Sequence, residues 1–179
     1  MIGLSAHAGR LSGDNHGDAG TRVVVGIGEF AVTDRPGDVI VTHALGSCIA
    51  VCVFDPRAGV AGMLHFLLPE SSINPDRARQ QPAVFADTGI PLLFEAAAQY
   101  GLSRKRAVVT LVGGAEMSQQ AGATFGTGRR NALAAKNVLW RAGVFVSSQE
   151  IGGTGARTLY LSVADGRMEV HNGQTYKEL

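Results

Sequence analysis

A chain of 179 residues with 45% hydrophobic and 17% charged residues has enough apolar content to build one domain around a sizeable core. Its net charge of +1 excludes a general electrostatic attraction to nucleic acid, so no nucleic-acid partner is expected. The sequence shows no secretion signal and no apolar run near the roughly 20 residues of a membrane span, so we expect a cytoplasmic protein without direct membrane insertion.

The first 21 residues are rich in Gly, Ser, His, Asp and Asn and show no hydrophobic period. This composition predicts a disordered N-terminal tail over residues 1–21 and a single folded domain over residues 22–179. His7 and His16 lack partners at metal-ligand spacing, so no metal site is predicted there.

The first half of the domain is β-prone. Two apolar runs, 48–54 and 60–67, flank Asp55-Pro56-Arg57-Ala58-Gly59, whose Pro and Gly suit a tight turn and predict a β-hairpin. The predicted strands before this hairpin cover 23–25, 30–32 and 39–42, and residues 44–47 form the loop into Cys48. A polar surface loop is expected after it, from Pro69 to about Gln81.

The second half mixes helices and strands. Amphipathic patterns predict helices over 87–100 and 131–142, each closed by a glycine. Strands are predicted at 107–112 and 144–146, an irregular segment at 118–128, and a final hairpin of 158–163 with 167–170 around Asp165-Gly166. The pattern indicates an α+β fold, with about two helices against mostly antiparallel or mixed sheets.

Cys48 and His65 are the parts needed for cysteine nucleophilic catalysis, if the hairpin brings them together. A two-residue loop puts Cys48 opposite His65, and a four-residue loop puts His65 opposite Ala50, diagonal to Cys48; both share one sheet face. A three-residue loop sends His65 to the other face. Buried cysteines and histidines are also common as plain core residues, so the residues alone leave catalysis open. Cys52, four residues after Cys48, is interpreted as structural.

An ordered set of short motifs runs through residues 22–172. It comprises Gly26-Ile27-Gly28-Glu29, Thr42 six residues before Leu45-Gly46-Ser47-Cys48, His65 before Leu68-Pro69, Gly113-Gly114-Ala115, Gly128-Arg129-Arg130-Asn131, and Gly152-Gly153 with Arg157. This set closely resembles the CheD family of chemoreceptor glutamine deamidases. Two positions depart from the family pattern: Leu67 stands where Met is frequent, a volume-conserving change, and Ala156 stands where Gly is usual.

The resemblance implies an α/β sandwich similar to the catalytic domain of cytotoxic necrotising factor. It implies conversion of chemoreceptor Gln side chains to Glu with release of ammonia, and a catalytic set of Cys48, His65 and Thr42. Neither metal nor organic cofactor is required. Ser47, Gly113 and Gly114 are weaker candidates for substrate or oxyanion binding. Chemoreceptors are the implied substrates, and a CheC-type phosphatase is a further implied partner.

Two alternatives remain at this point. The same Cys–His pair could serve another cysteine hydrolase, such as a peptidase acting on a backbone amide. The chain could also be a non-catalytic regulatory partner of a CheC-type phosphatase.

Overall fold

The computed structural model describes residues 20–116, 126–173 and 175–179. Most of the predicted N-terminal tail therefore lies outside the described residues, as does most of the predicted irregular segment 118–128. Residues 127 and 128 of that segment are described and are helical.

Two five-stranded sheets form the framework. The first sheet has the order β1-β3-β8-β9-β10, with β1 at Arg22–Val24, β3 at Val39–Leu45, β8 at Arg157–Ser162, β9 at Met168–His171 and β10 at Tyr176–Glu178. The second has the order β2-β5-β4-β6-β7, with β2 at Glu29–Thr33, β5 at Val60–Phe66, β4 at Ile49–Asp55, β6 at Val108–Gly113 and β7 at Ser148–Ile151. Both sheets are mixed, because β1 with β3 and β6 with β7 are parallel and the other pairs are antiparallel.

Three helices connect strands of the second sheet. Helices α1 (Pro75–Gln80) and α2 (Ala86–Gln99) lie between β5 and β6, and α3 (Thr127–Arg141) lies between β6 and β7. One face of this sheet packs on α2 and α3 through residues such as Leu64, Leu93 and Leu139. Its other face packs on the first sheet. Every residue of β4 and β5 is buried, which explains why their sequences are continuous apolar runs without alternation.

The predicted α+β sandwich with two long helices is confirmed, with local corrections. The polar loop predicted up to Gln81 contains α1, which Asn74 caps by accepting a hydrogen bond from the Arg77 N–H at 3.0 Å. Two short 3-10 helices, Ser71–Ile73 and Pro82–Val84, flank it. Helix α3 begins four residues before its predicted start.

The prediction of a strand at 144–146 is wrong, because these residues form no strand. After the Gly143 turn, the Val144 N–H donates to the Leu139 carbonyl and the Val144 side chain packs in the helix-side core, so pairing with β6 begins only at Ser148. Strand β10 lacks an apolar pattern and was not predicted. Within the described ranges, no helix combines the length and apolarity that crossing a membrane demands.

Candidate active site

The β4–β5 hairpin sets the relation between Cys48 and His65. Asp55 pairs with Val60 and Ala50 pairs with His65, which is the register of the four-residue loop. Cys48 comes one residue before β4 begins and is diagonal to His65 on the same face, a relation that places Cβ atoms somewhat less than about 7–8 Å apart. This face looks into the core between the two sheets.

The loop that carries Cys48 is held by the end of β6. The Gly114 N–H donates to the Cys48 carbonyl and the Ala115 N–H donates to the Gly46 carbonyl, both at 2.8 Å. Gly113 has a φ of +117°, and a Cβ atom there would lie 2.3 Å from the Cys48 carbonyl oxygen. Only glycine permits this approach. Gly113 and Gly114 thus contact the backbone of the candidate nucleophile, and the Gly114 N–H is already occupied.

Strand β3 brings Thr42 to His65 from the first sheet. The Thr42 hydroxyl donates to the Val25 carbonyl at 2.7 Å, and its oxygen lies 2.8 Å from His65 Nδ1. Because a hydroxyl has one proton, and that proton goes to Val25, Thr42 must accept the second bond from an Nδ1–H. His65 is therefore the tautomer with a lone pair on Nε2.

His65 Nε2 is buried and has no hydrogen-bond partner within the described ranges. A buried polar atom without a partner is uncommon and calls for an explanation. Here the atom belongs to a ring whose opposite nitrogen is anchored, on the sheet face that also carries Cys48. The arrangement leaves the Nε2 lone pair available to accept a proton in the core between the sheets.

Burial keeps both titratable groups neutral near pH 7. It lowers the pKa of His65 to about 4 and raises the pKa of Cys48, a rise that the residue's own backbone N–H partly offsets. The resting site therefore holds a thiol and an imidazole, and a proton must leave Cys48 as its sulfur attacks. Burial also raises the pKa of Cys52, which is fully inside the core, and no hydrogen bond among the described residues offsets that rise.

Asn131 of α3 reaches the same loop. Its Nδ2 donates to the carbonyl oxygens of Ser47 and Leu67, each at 2.9 Å. The sequence motif contained this residue, but no role was predicted for it, because a spacing of 84 residues from Ser47 carries no local signal. The N–H groups of Ser47 and Cys48 donate to no other residue among those described.

Other candidate ligands are not gathered into a metal site. Nowhere in the described part of the chain do three or more His, Cys, Asp or Glu side chains come together as a possible cation site. The site as described is composed of a thiol, an imidazole, a hydroxyl and backbone amides, which is the equipment of nucleophilic acyl transfer.

Comparison with known proteins gives the same family as the sequence motifs. Residues 67–172 match the family model described as CheD chemotactic sensory transduction. The chain is 41% identical over 158 residues to a Solibacter usitatus protein named probable chemoreceptor glutamine deamidase CheD, covering 88% of this chain and 93% of that one. It is 47% identical over 151 residues to the probable chemoreceptor glutamine deamidase CheD 2 of Anaeromyxobacter dehalogenans, covering 84% and 94%.

A solved structure, the Bacillus licheniformis hypothetical protein YfiH, is similar at a TM-score of 0.46 and 10% identity, covering 70% of this chain and 51% of that one. A likeness at this level supports no inference about this chain.

Proposed function

The chain belongs to the CheD family, and from this premise we propose that it is a protein-glutamine deamidase that converts Gln side chains of chemoreceptors to Glu and releases ammonia. The names of its relatives support the reaction and the substrate class. The matched family region begins after Thr42, Cys48 and His65, so their proposed roles rest on geometry. The observation that carries them is the 2.8 Å contact of Thr42 with His65 Nδ1, which places the proton on Nδ1 and the lone pair on Nε2.

In the first half-reaction, His65 Nε2 takes the thiol proton as Cys48 Sγ bonds to the amide carbon of the Gln side chain. The carbonyl π electrons move to oxygen, and the N–H groups of Ser47 and Cys48 are our candidates for stabilising that charge. The C–N bond then breaks. The proton on Nε2 passes to the departing nitrogen, so ammonia leaves and a thioester remains on Cys48.

In the second half-reaction, water takes the place that ammonia vacated. His65 Nε2 removes a proton from the water as its oxygen attacks the thioester carbon, and the C–S bond breaks. The proton returns to the sulfur and the product is a Glu side chain. Thr42 holds the ring in one tautomer through both halves, because its oxygen can accept only from an Nδ1–H.

A peptidase would use the same residues but would cleave the substrate chain. The two reactions are separated by their products. Incubation with a chemoreceptor cytoplasmic fragment should release ammonia while the fragment keeps its length on a denaturing gel. Cleavage of the fragment without release of ammonia would contradict the proposal.

A regulatory role toward a CheC-type phosphatase is the second candidate, and we propose such a protein as a further partner in the cytoplasm. Thr42, Cys48 and His65 are all present, and two of them are in contact, which favours an active enzyme over a protein that has lost catalysis. The two roles separate in Cys48→Ala. Loss of receptor deamidation with retained phosphatase regulation would place both functions in one chain. Loss of phosphatase regulation with intact receptor glutamine conversion would favour the regulatory role and contradict the role of Cys48 as the nucleophile.

A further inference from the structure

We propose that Asn131 is a positioning residue for the nucleophile, and that its carboxamide joins the two backbone segments carrying Cys48 and His65 at the point where their strand pairing ends. This inference rests on the proposed function for its kinetic readout only. Its structural readout, the labelling of Cys48, does not require a substrate.

The pairing of β4 with β5 stops at Ile49 and Phe66. Cys48, just before β4, and Leu67, just after β5, lie beyond the last paired residues of the hairpin. Asn131 Nδ2 donates its two protons to Ser47 and Leu67, one residue before Cys48 and two residues after His65. A side chain from α3 thereby supplies, across the end of the hairpin, the link that a further pair of strand hydrogen bonds would otherwise provide.

The orientation of the carboxamide follows from its partners. Both contacted atoms are carbonyl oxygens, which only accept, so the NH2 group must face them. Asn131 is completely buried, and its Oδ1 has no partner within the described ranges. An unpaired buried acceptor lowers the stability of the folded chain. The neighbouring inward residues of α3 are apolar (Ala132, Ala135 and Leu139), so stability alone would favour an apolar residue here too.

The start of α3 is itself fixed against the loop at the end of β6. A Cβ atom at Gly128 would lie 2.3 Å from the Gly114 carbonyl oxygen, so the first turn of the helix sits directly on that loop. The Cys48 segment is then held on two sides, by Gly114 and Ala115 in the loop after β6 and by Asn131 of α3. Loss of the Asn131 link leaves only the first side. A displacement of about 1 Å at a reacting group can cost on the order of 100-fold in rate.

The decisive variant is Asn131→Asp, which keeps the side-chain shape and replaces two donors by an acceptor facing two carbonyl oxygens. The matched control is Asn137→Asp, the same change at an exposed position of the same helix. We expect Asn131→Asp to lower kcat by about 10-fold or more with a change in KM below about threefold. We expect Asn137→Asp to remain within about twofold of wild type.

Labelling with iodoacetamide separates positioning from stability, because the chain contains two buried free cysteines. A loosened loop exposes Cys48 and removes part of the burial that raises its pKa, so Cys48 should react faster in Asn131→Asp while deamidation becomes slower. Cys52, inside β4, should stay unreactive. Peptide mass spectrometry after timed quenching gives both rates from one sample.

Three results would overturn the inference: an unchanged kcat, a Cys48 labelling rate at or below that of wild type, or equal acceleration of Cys48 and Cys52, which would mean a general loss of stability. If Asn131→Asp fails to fold, Asn131→Ser retains one donor and must give the same pattern at smaller amplitude. If the wild-type chain deamidates no receptor, the proposed function fails, and selective acceleration at Cys48 still decides the role of Asn131.

Discussion

Replacing Thr42 by valine removes one oxygen from the site with almost no change in shape. That oxygen makes two contacts inside the core, one to the Val25 carbonyl and one to His65 Nδ1. Thr42 and His65 are both completely buried, so water cannot replace the lost partner. The substitution leaves a carbonyl without its donor and an imidazole N–H without its acceptor.

The expected cost has a stability part and a catalytic part. Each unpaired buried group costs about 1–3 kcal/mol, and the extra methyl group of valine returns about 1 kcal/mol, so the free energy of unfolding should fall by about 1–5 kcal/mol. The imidazole loses the bond that selects its tautomer. Because general-base catalysis contributes about 100- to 10,000-fold, we expect kcat to fall by about 10- to 100-fold.

Urea unfolding followed by fluorescence measures the first part, and ammonia release from a chemoreceptor fragment measures the second. Thr42→Ser is the matched control, since it keeps the hydroxyl and loses only a methyl group. It should keep kcat within about threefold of wild type. A Thr42→Val enzyme with wild-type kcat, or a serine variant as impaired as the valine variant, would refute the assigned role of the hydroxyl.

Three further predictions follow from burial and close contacts. Burial raises the pKa of Cys48 and lowers that of His65 to about 4, so the rate of Cys48 alkylation should keep rising above pH 9. An alkylation rate that is already constant below pH 7 would instead show that the resting site holds a thiolate–imidazolium pair. Burial opposes ionisation of Asp55, but hydrogen bonds from Arg106 and from backbone N–H groups outweigh it and lower its pKa to about 2, so its contribution to stability is present above pH 4 and lost as pH falls toward 2. Asp55→Ala should therefore lower the free energy of unfolding at pH 7 by about 2–4 kcal/mol, measured by denaturation, with kcat per folded molecule unchanged; an equal cost at pH 2 would contradict this. Gly113→Ala, which puts a methyl group against the Cys48 carbonyl, should lower both melting temperature and kcat, and a wild-type enzyme would contradict the described loop.

The hairpin shows what the sequence could and could not predict. Both strands and the turn at Asp55–Gly59 were predicted from local residues, but three loop lengths remained possible. In the structure, Asp55 accepts from the N–H groups of Arg57 and Ala58 inside the turn. It also accepts from Ser103 and Arg106, which are 48 and 51 residues away. These long-range bonds fix Asp55 at the start of the turn, and no local pattern reveals them.

The same limit applies to the site. Thr42 could be paired with His65 only through the resemblance, because they lie in different sheets and their contact depends on how the sheets stack. Asn131 belongs to a motif that the sequence displayed, yet its helix was predicted to start at that residue. A helix beginning at Thr127 places Asn131 one turn inside, where its side chain can point to the core. The error in the helix start therefore concealed its position.

The central claim is that Cys48 is the nucleophile that converts receptor glutamine to glutamate, and the most direct measurement is the peptide mass of a chemoreceptor fragment after incubation with three enzymes. Wild type and Cys52→Ala should both produce the mass gain of an amide-to-acid change at the same glutamines, because Cys52 lies inside β4 away from the free end of the hairpin. Cys48→Ala, folded and of unchanged melting temperature, should produce none. Deamidation by Cys48→Ala, or equal loss in Cys52→Ala, would contradict the account.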